Sequence, residues 1–215
     1  MIRAYIGLLG EGKTLAMVMD ACKIMKRGKR VISNVPMKFK SGIFKKKYYE
    51  SENYTGKEFE NAILKAENCL VCIDEASIVF PSYFWQNIPG EFLMKWAQSR
   101  KYAVDIFYTT QRFTHSVKRL RDITNEVVKC KKSNDMYSFI HYDPEYFEGR
   151  MIPSLEIEKK FIIKRRIIMP WTAIRHYKYY DTLYKVKSSV LLNIDESKVS
   201  NDFIEEAVED KWLTL

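Results

Sequence analysis

Residues 7–14 read Gly-Leu-Leu-Gly-Glu-Gly-Lys-Thr. This stretch matches the pattern GxxxxGK[ST] at every fixed position. The residues Ile2 to Ile6 before it read as a short strand, and Leu15 to Lys26 after it carry apolar residues at helical spacing. The motif therefore has the strand–loop–helix context that it requires, which predicts a phosphate-binding loop at the start of an α/β domain.

The spelling of this loop has a physical reason. Glycines lack the Cβ atoms that would keep backbone N–H groups from converging on a polyphosphate, and the following helix adds a favourable field for an anion. Lys13 is predicted to place its ammonium on the β- and γ-phosphates, and Thr14 to offer its hydroxyl to Mg²⁺. The predicted cofactors are thus ATP and Mg²⁺, and the predicted nucleotide-binding residues are Gly7, Leu8, Leu9, Gly10, Glu11, Gly12, Lys13, Thr14 and Leu15.

A second candidate element is the apolar run at residues 69–75, Cys-Leu-Val-Cys-Ile-Asp-Glu. Such a run is typical of a central parallel strand that is buried on both faces, and its carboxyl end would lie beside the phosphate-binding loop. Asp74 is then predicted to hold Mg²⁺ through its water shell, and Glu75 to orient and deprotonate a water that attacks the γ-phosphate. The alternative is that both are surface acids. The CxxC inside the run has no second metal-binding pair at zinc spacing, which favours core packing.

A third strand is predicted from Ala103 to Thr110, followed by Gln111. In one large class of P-loop ATPases an additional strand lies between the phosphate-loop strand and the acidic strand, and a polar residue at its tip senses the γ-phosphate. Gln111 matches that position. Arg100 and Arg112 flank the strand, and either could act on a neighbouring subunit's nucleotide as an arginine finger.

Charge indicates a second, larger polyanion. The chain of 215 residues has 36 Lys and Arg against 27 Asp and Glu, a net charge of +9. Residues 195–215 hold seven acids and two bases, so this tail carries −5 and residues 1–194 carry +14. Such a surplus indicates a polyanionic partner such as DNA, or serves solubility alone.

The bases form three clusters, around residues 38–47, 118–132 and 164–166. In the first, lysines alternate with aromatic residues, a combination that suits nucleic acid; an amphipathic hairpin with Gly42 at its turn is the alternative. The nucleic-acid candidates are Lys38, Lys40, Lys45, Lys46, Lys47, Lys118, Arg119 and Arg121.

Two domain-level expectations follow. Residues 1–194 are predicted to form one α/β core of the RecA-like P-loop NTPase class, with a mostly parallel sheet, helices on both faces and extra strands after about residue 133. Residues 195–215 are predicted to form an acidic amphipathic helix that packs on the core or docks on a partner. Few cysteines and no signal peptide favour a reducing cytoplasm, and no apolar stretch is long enough to span a bilayer.

Together the motifs resemble the zonular occludens toxin-like (Zot-like) ATPases of filamentous viruses, within the FtsK–HerA group of P-loop motors. The resembling segments extend past the phosphate-binding loop to about residue 186: Val31–Pro36, Ile73–Ala76 with Phe80-Pro81, Ser99–Ile106, Thr109–Gln111 and Tyr179–Thr182. The resemblance implies a ring-forming motor that moves viral DNA. Because the relatives usually carry a membrane span after this domain and this chain has none, it implies the motor domain alone, in the host cytoplasm, with membrane or virion contact through a partner.

Three functions follow from these residues. The leading hypothesis is an ATP-hydrolysing DNA motor for genome packaging or virion extrusion. A P-loop kinase acting on a small acceptor is the second, although a glutamate adjacent to Asp74 suits attack by water. A nucleotide-binding assembly scaffold without turnover is the third.

Overall fold

The computed structural model describes residues 1–41, 47–80, 90–148 and 155–181. Ten strands and eight helices are described within these ranges: β1 Ile2–Ile6, α1 Lys13–Lys26, β2 Arg30–Ser33, β3 Lys38–Ser41, β4 Lys47–Glu50, β5 Glu52–Asn53, α2 Gly56–Leu64, β6 Cys69–Ile73, α3 Ala76–Val79, α4 Gly90–Ala97, β7 Asp105–Thr110, α5 Lys118–Asp122, β8 Glu126–Ser133, β9 Met136–Tyr142, α6 Glu145–Glu148, α7 Leu155–Phe161, β10 Ile162–Ile168 and α8 Pro170–Tyr177.

Eight of these strands form one sheet in the order β10-β9-β8-β1-β7-β6-β2-β5. The pairs from β8 to β5 are parallel, while β9 and β10 are antiparallel additions. Strand β7 lies between β1 and β6, which confirms the predicted inserted strand. Parallel strands end at the same edge, so the phosphate-binding loop after β1 and the acids after β6 share the carboxyl edge of the sheet.

Helices cover both faces of the parallel part of the sheet, as predicted. On one face α1 and Ala173 of α8 pack in one apolar core; on the other, α2 to α5 pack in a second. Every residue of β6 is buried because both cores meet it. The predicted extra strands of the last third are confirmed as β9 and β10, which extend the sheet beyond β8.

Strands β3 and β4 form a separate antiparallel hairpin, the alternative stated for the first basic cluster. Within the hairpin the rings of Phe39 and Tyr49 stack with centroids 4.9 Å apart, and Phe39 packs on the body against Tyr179. Gly42, Lys45 and Lys46 lie outside the described residues, and so does the predicted tail helix at 195–215. Within the described ranges, no helix combines the length and apolarity that crossing a bilayer requires.

Candidate nucleotide-binding site

The phosphate-binding loop needs glycine at two of its positions for different reasons. Gly12 has a φ of 84°, and a Cβ there would lie 2.6 Å from the ring of Tyr137. A Cβ on Gly7 would lie 2.7 Å from the carbonyl oxygen of Cys130. Strands β8 and β9 therefore pack closely against the loop. This packing requires glycine at positions 7 and 12 independently of any contact with phosphate.

Hydrogen bonds within the loop fix its backbone and hold the ammonium of Lys13 on a backbone carbonyl. Lys13 is buried, and its Nζ donates to the carbonyl of Leu8 at 3.1 Å. The N–H of Leu8 donates to the Glu11 carboxylate at 2.6 Å, and the N–H of Gly7 to the carbonyl of Gln111 at 3.2 Å. An ammonium held by one neutral carbonyl is free to turn to a stronger anionic acceptor.

Asp74 joins the loop to the acidic strand. The hydroxyls of Thr14 and Thr109 both donate to its Oδ1, each at 2.8 Å. Burial raises the pKa of Asp74, and the two hydroxyls and the nearby Lys13 oppose that rise. A hydroxyl and a carboxylate side by side are the hard oxygen donors that Mg²⁺ prefers, so this pair fits the ion. Among the described residues no group of three or more His, Cys, Asp or Glu side chains could form a metal cage.

Asn34 fixes the carboxyl end of β6 and was not identified as a site residue from sequence. Its amide Nδ2 donates to the carbonyl of Asp74 at 2.9 Å, and its Oδ1 accepts the N–H of Asp74 at 2.8 Å. This reciprocal pair replaces a strand partner just where β2 ends. Asn34 belongs to the segment Val31–Pro36, which contributed to the family resemblance. No role was assigned to Asn34 itself from sequence.

Thr109 was likewise missed as a site residue, although it is two residues before Gln111. Its hydroxyl donates to Asp74 and also accepts the N–H of Glu75 at 2.8 Å. One buried oxygen thus links β7 to both acids. The alternation of side chains along β7 predicts which residues share a face. It does not predict that the backbone N–H of Glu75, just after β6, needs the Thr109 hydroxyl as its acceptor.

Glu75 is a half-buried acid that directly precedes α3. It adopts a left-handed backbone conformation with a φ of 49° at the start of α3. Burial and the charge of Asp74 raise its pKa, and Lys13 opposes the rise. A carboxylate with a raised pKa accepts a proton more readily than an ordinary surface acid.

Gln111 and Arg112 are exposed at the same sheet edge. With Lys129 and Lys131 of β8 they line a cavity of about 360 Å³ beside Gly7 and Leu8. Arg100 is also exposed but precedes the amino end of β7, at the opposite edge of the sheet. The structure therefore brings Arg112, and not Arg100, to the edge of its own subunit's phosphate-binding loop.

The predicted basic clusters differ in how free their charges are. Lys38, Lys40 and Lys47 are exposed on the hairpin, as are Lys118 and Arg119 on α5. The guanidinium of Arg121 instead donates to the carbonyls of Thr114 at 2.7 Å and Ser116 at 2.9 Å. In the third cluster, Arg166 bonds the buried Asp20 at 2.8 Å.

With this geometry established, comparison with known proteins gives the family. Residues 1–160 match the sequence model of the zonular occludens toxin (Zot) family. The chain belongs to the Zot family. No relative of similar sequence was found among curated proteins.

Solved structures show that the fold of this Zot-family chain is that of a P-loop NTPase. The N-terminal domain of zonular occludens toxin from Neisseria meningitidis is similar with a TM-score of 0.56 and 19% identity, over 84% of this chain and 98% of that one. The genome packaging NTPase B204 of Sulfolobus turreted icosahedral virus 2, in complex with ATPγS, aligns with a TM-score of 0.53 and 13% identity, over 79% of this chain and 97% of that one. The same NTPase with AMPPCP gives 0.50 and 12%, over 79% and 97%.

Proposed function

We propose that this protein is a Mg²⁺-dependent ATPase that drives viral DNA during genome packaging or virion assembly, as a homo-oligomeric ring. One observation carries the proposal: the hydroxyl of Thr14 in the phosphate-binding loop and the carboxylate of Asp74 are hydrogen-bonded at 2.8 Å. The two halves of a nucleotide site therefore converge, with Lys13 and Glu75 beside them. That B204 is a packaging NTPase that binds ATPγS supports the same role here.

Charge is handled by residues of the loop. Lys13 exchanges the carbonyl of Leu8 for the β- and γ-phosphates, a stronger acceptor. Thr14 and Asp74 would hold Mg²⁺, which would supply positive charge to offset that of the phosphates. The N-terminus of α1, the helix that begins at Lys13, adds a fixed positive potential at the same place.

Glu75 is the general base that accepts the proton of the attacking water. It also orients that water, and its raised pKa favours the proton transfer. Gln111 reads the γ-phosphate from the tip of β7, to which Thr109 ties both acids. An arginine from the neighbouring subunit stabilises the transferred phosphoryl group, so that firing depends on the ring; Arg112 and Arg100 are the candidates.

DNA is gripped through its phosphates, without sequence preference, by the exposed lysines of the hairpin and of α5. On the hairpin the Nζ of Lys40 lies 4.6 Å from the ring centre of Tyr48, which is 69% exposed. A lysine over an exposed ring offers both charge and a stacking surface. The protein acts in the host cytoplasm, and any contact with membrane or virion is made through a partner.

The test measures phosphate release with ATP and Mg²⁺, alone and with double-stranded or single-stranded DNA. Wild type is compared with Glu75→Gln and with Glu58→Gln, a matched change at an exposed glutamate of α2. DNA should stimulate the wild type and Glu58→Gln equally. Glu75→Gln should lose roughly 100-fold or more in rate while it still binds ATP.

Each other outcome has a meaning. Phosphate transferred to a small acceptor, with none released to water, would identify a kinase. ATP binding without turnover in the wild type would leave the assembly scaffold. Arg112→Ala and Arg100→Ala identify the arginine: the change that removes the trans arginine should abolish the turnover of a ring, and activity should return in mixtures with Lys13→Ala subunits that supply an intact one.

A further inference from the structure

Among the residues that the structure describes, no helix layer covers one face of the added strands. On β8, β9 and β10 the face toward α1 carries buried side chains, among them Cys130, Phe139 and Ile168. The side chains that alternate with them point away from α1 and form what is called here the open face. It consists of two rows across three strands, Lys129–Ile140–Arg165 and Lys131–Ser138–Ile167, with Met136 at the end of β9.

The open face is both apolar and basic. Ile167 is 60% exposed and Met136 is 39% exposed. Lys129, Lys131 and Arg165 are exposed around them, and the two rows contain no acid. A surface of this kind favours an occupant with an apolar stripe and negative charges on its flanks.

The layer arrangement of α/β domains predicts a helix on the open face. In an α/β domain each face of the sheet is covered by helices. Helices α2 to α5 cover β1, β7, β6 and β2 on this side, and α6 and α7 reach the end of β9 at Tyr142, whose hydroxyl donates to Glu158 at 2.6 Å. Strands β8 and β10 are about 10 Å apart, and one helix has about that diameter.

Residues 201–212 match this surface. Their sequence has an apolar stripe of Phe203, Ile204, Ala207, Val208 and Trp212, flanked by five acids: Asp202, Glu205, Glu206, Glu209 and Asp210. The 19 residues at 182–200 could extend about 60 Å, which suffices to pass from the end of α8 around β10.

We propose that residues 201–212 form the missing helix and pack on the open face of the same subunit, acids against Lys129, Lys131 and Arg165. The inference concerns the layers of the fold and does not depend on ATP hydrolysis. It assigns the acidic tail to one surface and one chain, and so gives part of the basic surplus an internal partner.

Cross-linking tests both the surface and the chain. The full chain carrying Ile167→Cys and Ala207→Cys is oxidised mildly, then run on a non-reducing gel and analysed by peptide mass. The four native cysteines are buried and do not compete. The expected product is a disulfide within one monomer. The matched control pairs Ala207→Cys with Asn61→Cys, an exposed site on α2, and should give no disulfide within a monomer.

Disulfide-linked dimers alone would overturn the proposal in favour of a second copy of the chain. Equal cross-linking to positions 61 and 167 would overturn it too, because the tail would then have no fixed place.

Hydrogen exchange supplies an independent readout. Arg165→Glu replaces attraction by repulsion at the open face, and should speed amide exchange in residues 203–212 about tenfold. Arg175→Glu removes an exposed base from α8 and should leave that exchange unchanged. Equal exchange in both variants and the wild type would contradict the proposal.

Discussion

Replacing Thr109 by valine removes one buried hydroxyl and leaves the side-chain shape almost unchanged. That hydroxyl donates to Asp74 Oδ1 and accepts the N–H of Glu75, both at 2.8 Å. A hydrogen bond to a charged group contributes about 1.5–3 kcal/mol, and a buried N–H left without a partner costs about 1–3 kcal/mol. Because both effects fall on neighbouring atoms they do not simply add, and we expect Thr109→Val to lower the free energy of unfolding by about 3 kcal/mol.

The adjacent residue provides the control. Thr110 is as fully buried as Thr109, but its hydroxyl donates only to the carbonyl of Arg112 at 3.2 Å. Thr110→Val should therefore cost about 1 kcal/mol, the value of one neutral hydrogen bond. Urea denaturation of the nucleotide-free protein, followed by tryptophan fluorescence at neutral pH, measures both variants. Equal losses in the two variants would refute the role assigned to Thr109.

The pH dependence gives a second check on the same contact. The pKa of Asp74 is raised in the folded protein, chiefly by burial. Its contribution to stability is therefore fully present below the unfolded pKa and is lost as the pH rises through the folded pKa. Thr109→Val removes a donor that favours the carboxylate, so the pKa of Asp74 should rise further. The difference between the two valine variants should be larger at neutral pH than at acid pH.

Two more changes test features around the loop, each measured by the same denaturation assay. Gly12→Ala should destabilise the fold more than Gly10→Ala by about 1–3 kcal/mol, because both glycines have positive φ but only the Cβ at 12 meets the ring of Tyr137; equal losses would contradict this. Asp20→Asn should cost about 3 kcal/mol at neutral pH because it leaves Arg166 without its carboxylate. Burial opposes the ionisation of Asp20, yet Arg166 and Lys23 outweigh it and lower its pKa. The cost should therefore be full above the unfolded carboxyl pKa near 3.8 and should fade as the pH falls below that value toward the lower folded pKa; a cost that stayed constant over this range would disprove the pairing.

The local motifs carried most of the information about the fold. Three segments each combine a short pattern with the type of element that must flank it: residues 7–14, residues 69–75 and the strand before Gln111. These patterns predicted that the third strand lies between the other two. Thr14 and Asp74 were both assigned to Mg²⁺ from sequence, and their side chains are hydrogen-bonded to each other.

What the sequence did not reveal depends on contacts between distant residues. The partner of Asn34 is 40 positions away, and that of Arg166 is 146 positions away. No periodicity records which strand lies opposite an amide group or which helix presents a carboxylate to a guanidinium. Arg166 was for that reason assigned to a surface cluster, whereas it bonds a buried acid.

The position of β1 in the sheet has a consequence for synthesis. Its two neighbours, β7 and β8, begin at residues 105 and 126. At a translation rate of about 5–20 residues per second, roughly 6–24 seconds pass between the emergence of β1 and that of its second partner. For most of that interval α1 lacks the finished sheet that buries its apolar side, so the nascent chain exposes apolar surface that is prone to aggregate. The strand that carries the phosphate-binding loop therefore gains both of its neighbours only after residue 126 has left the ribosome.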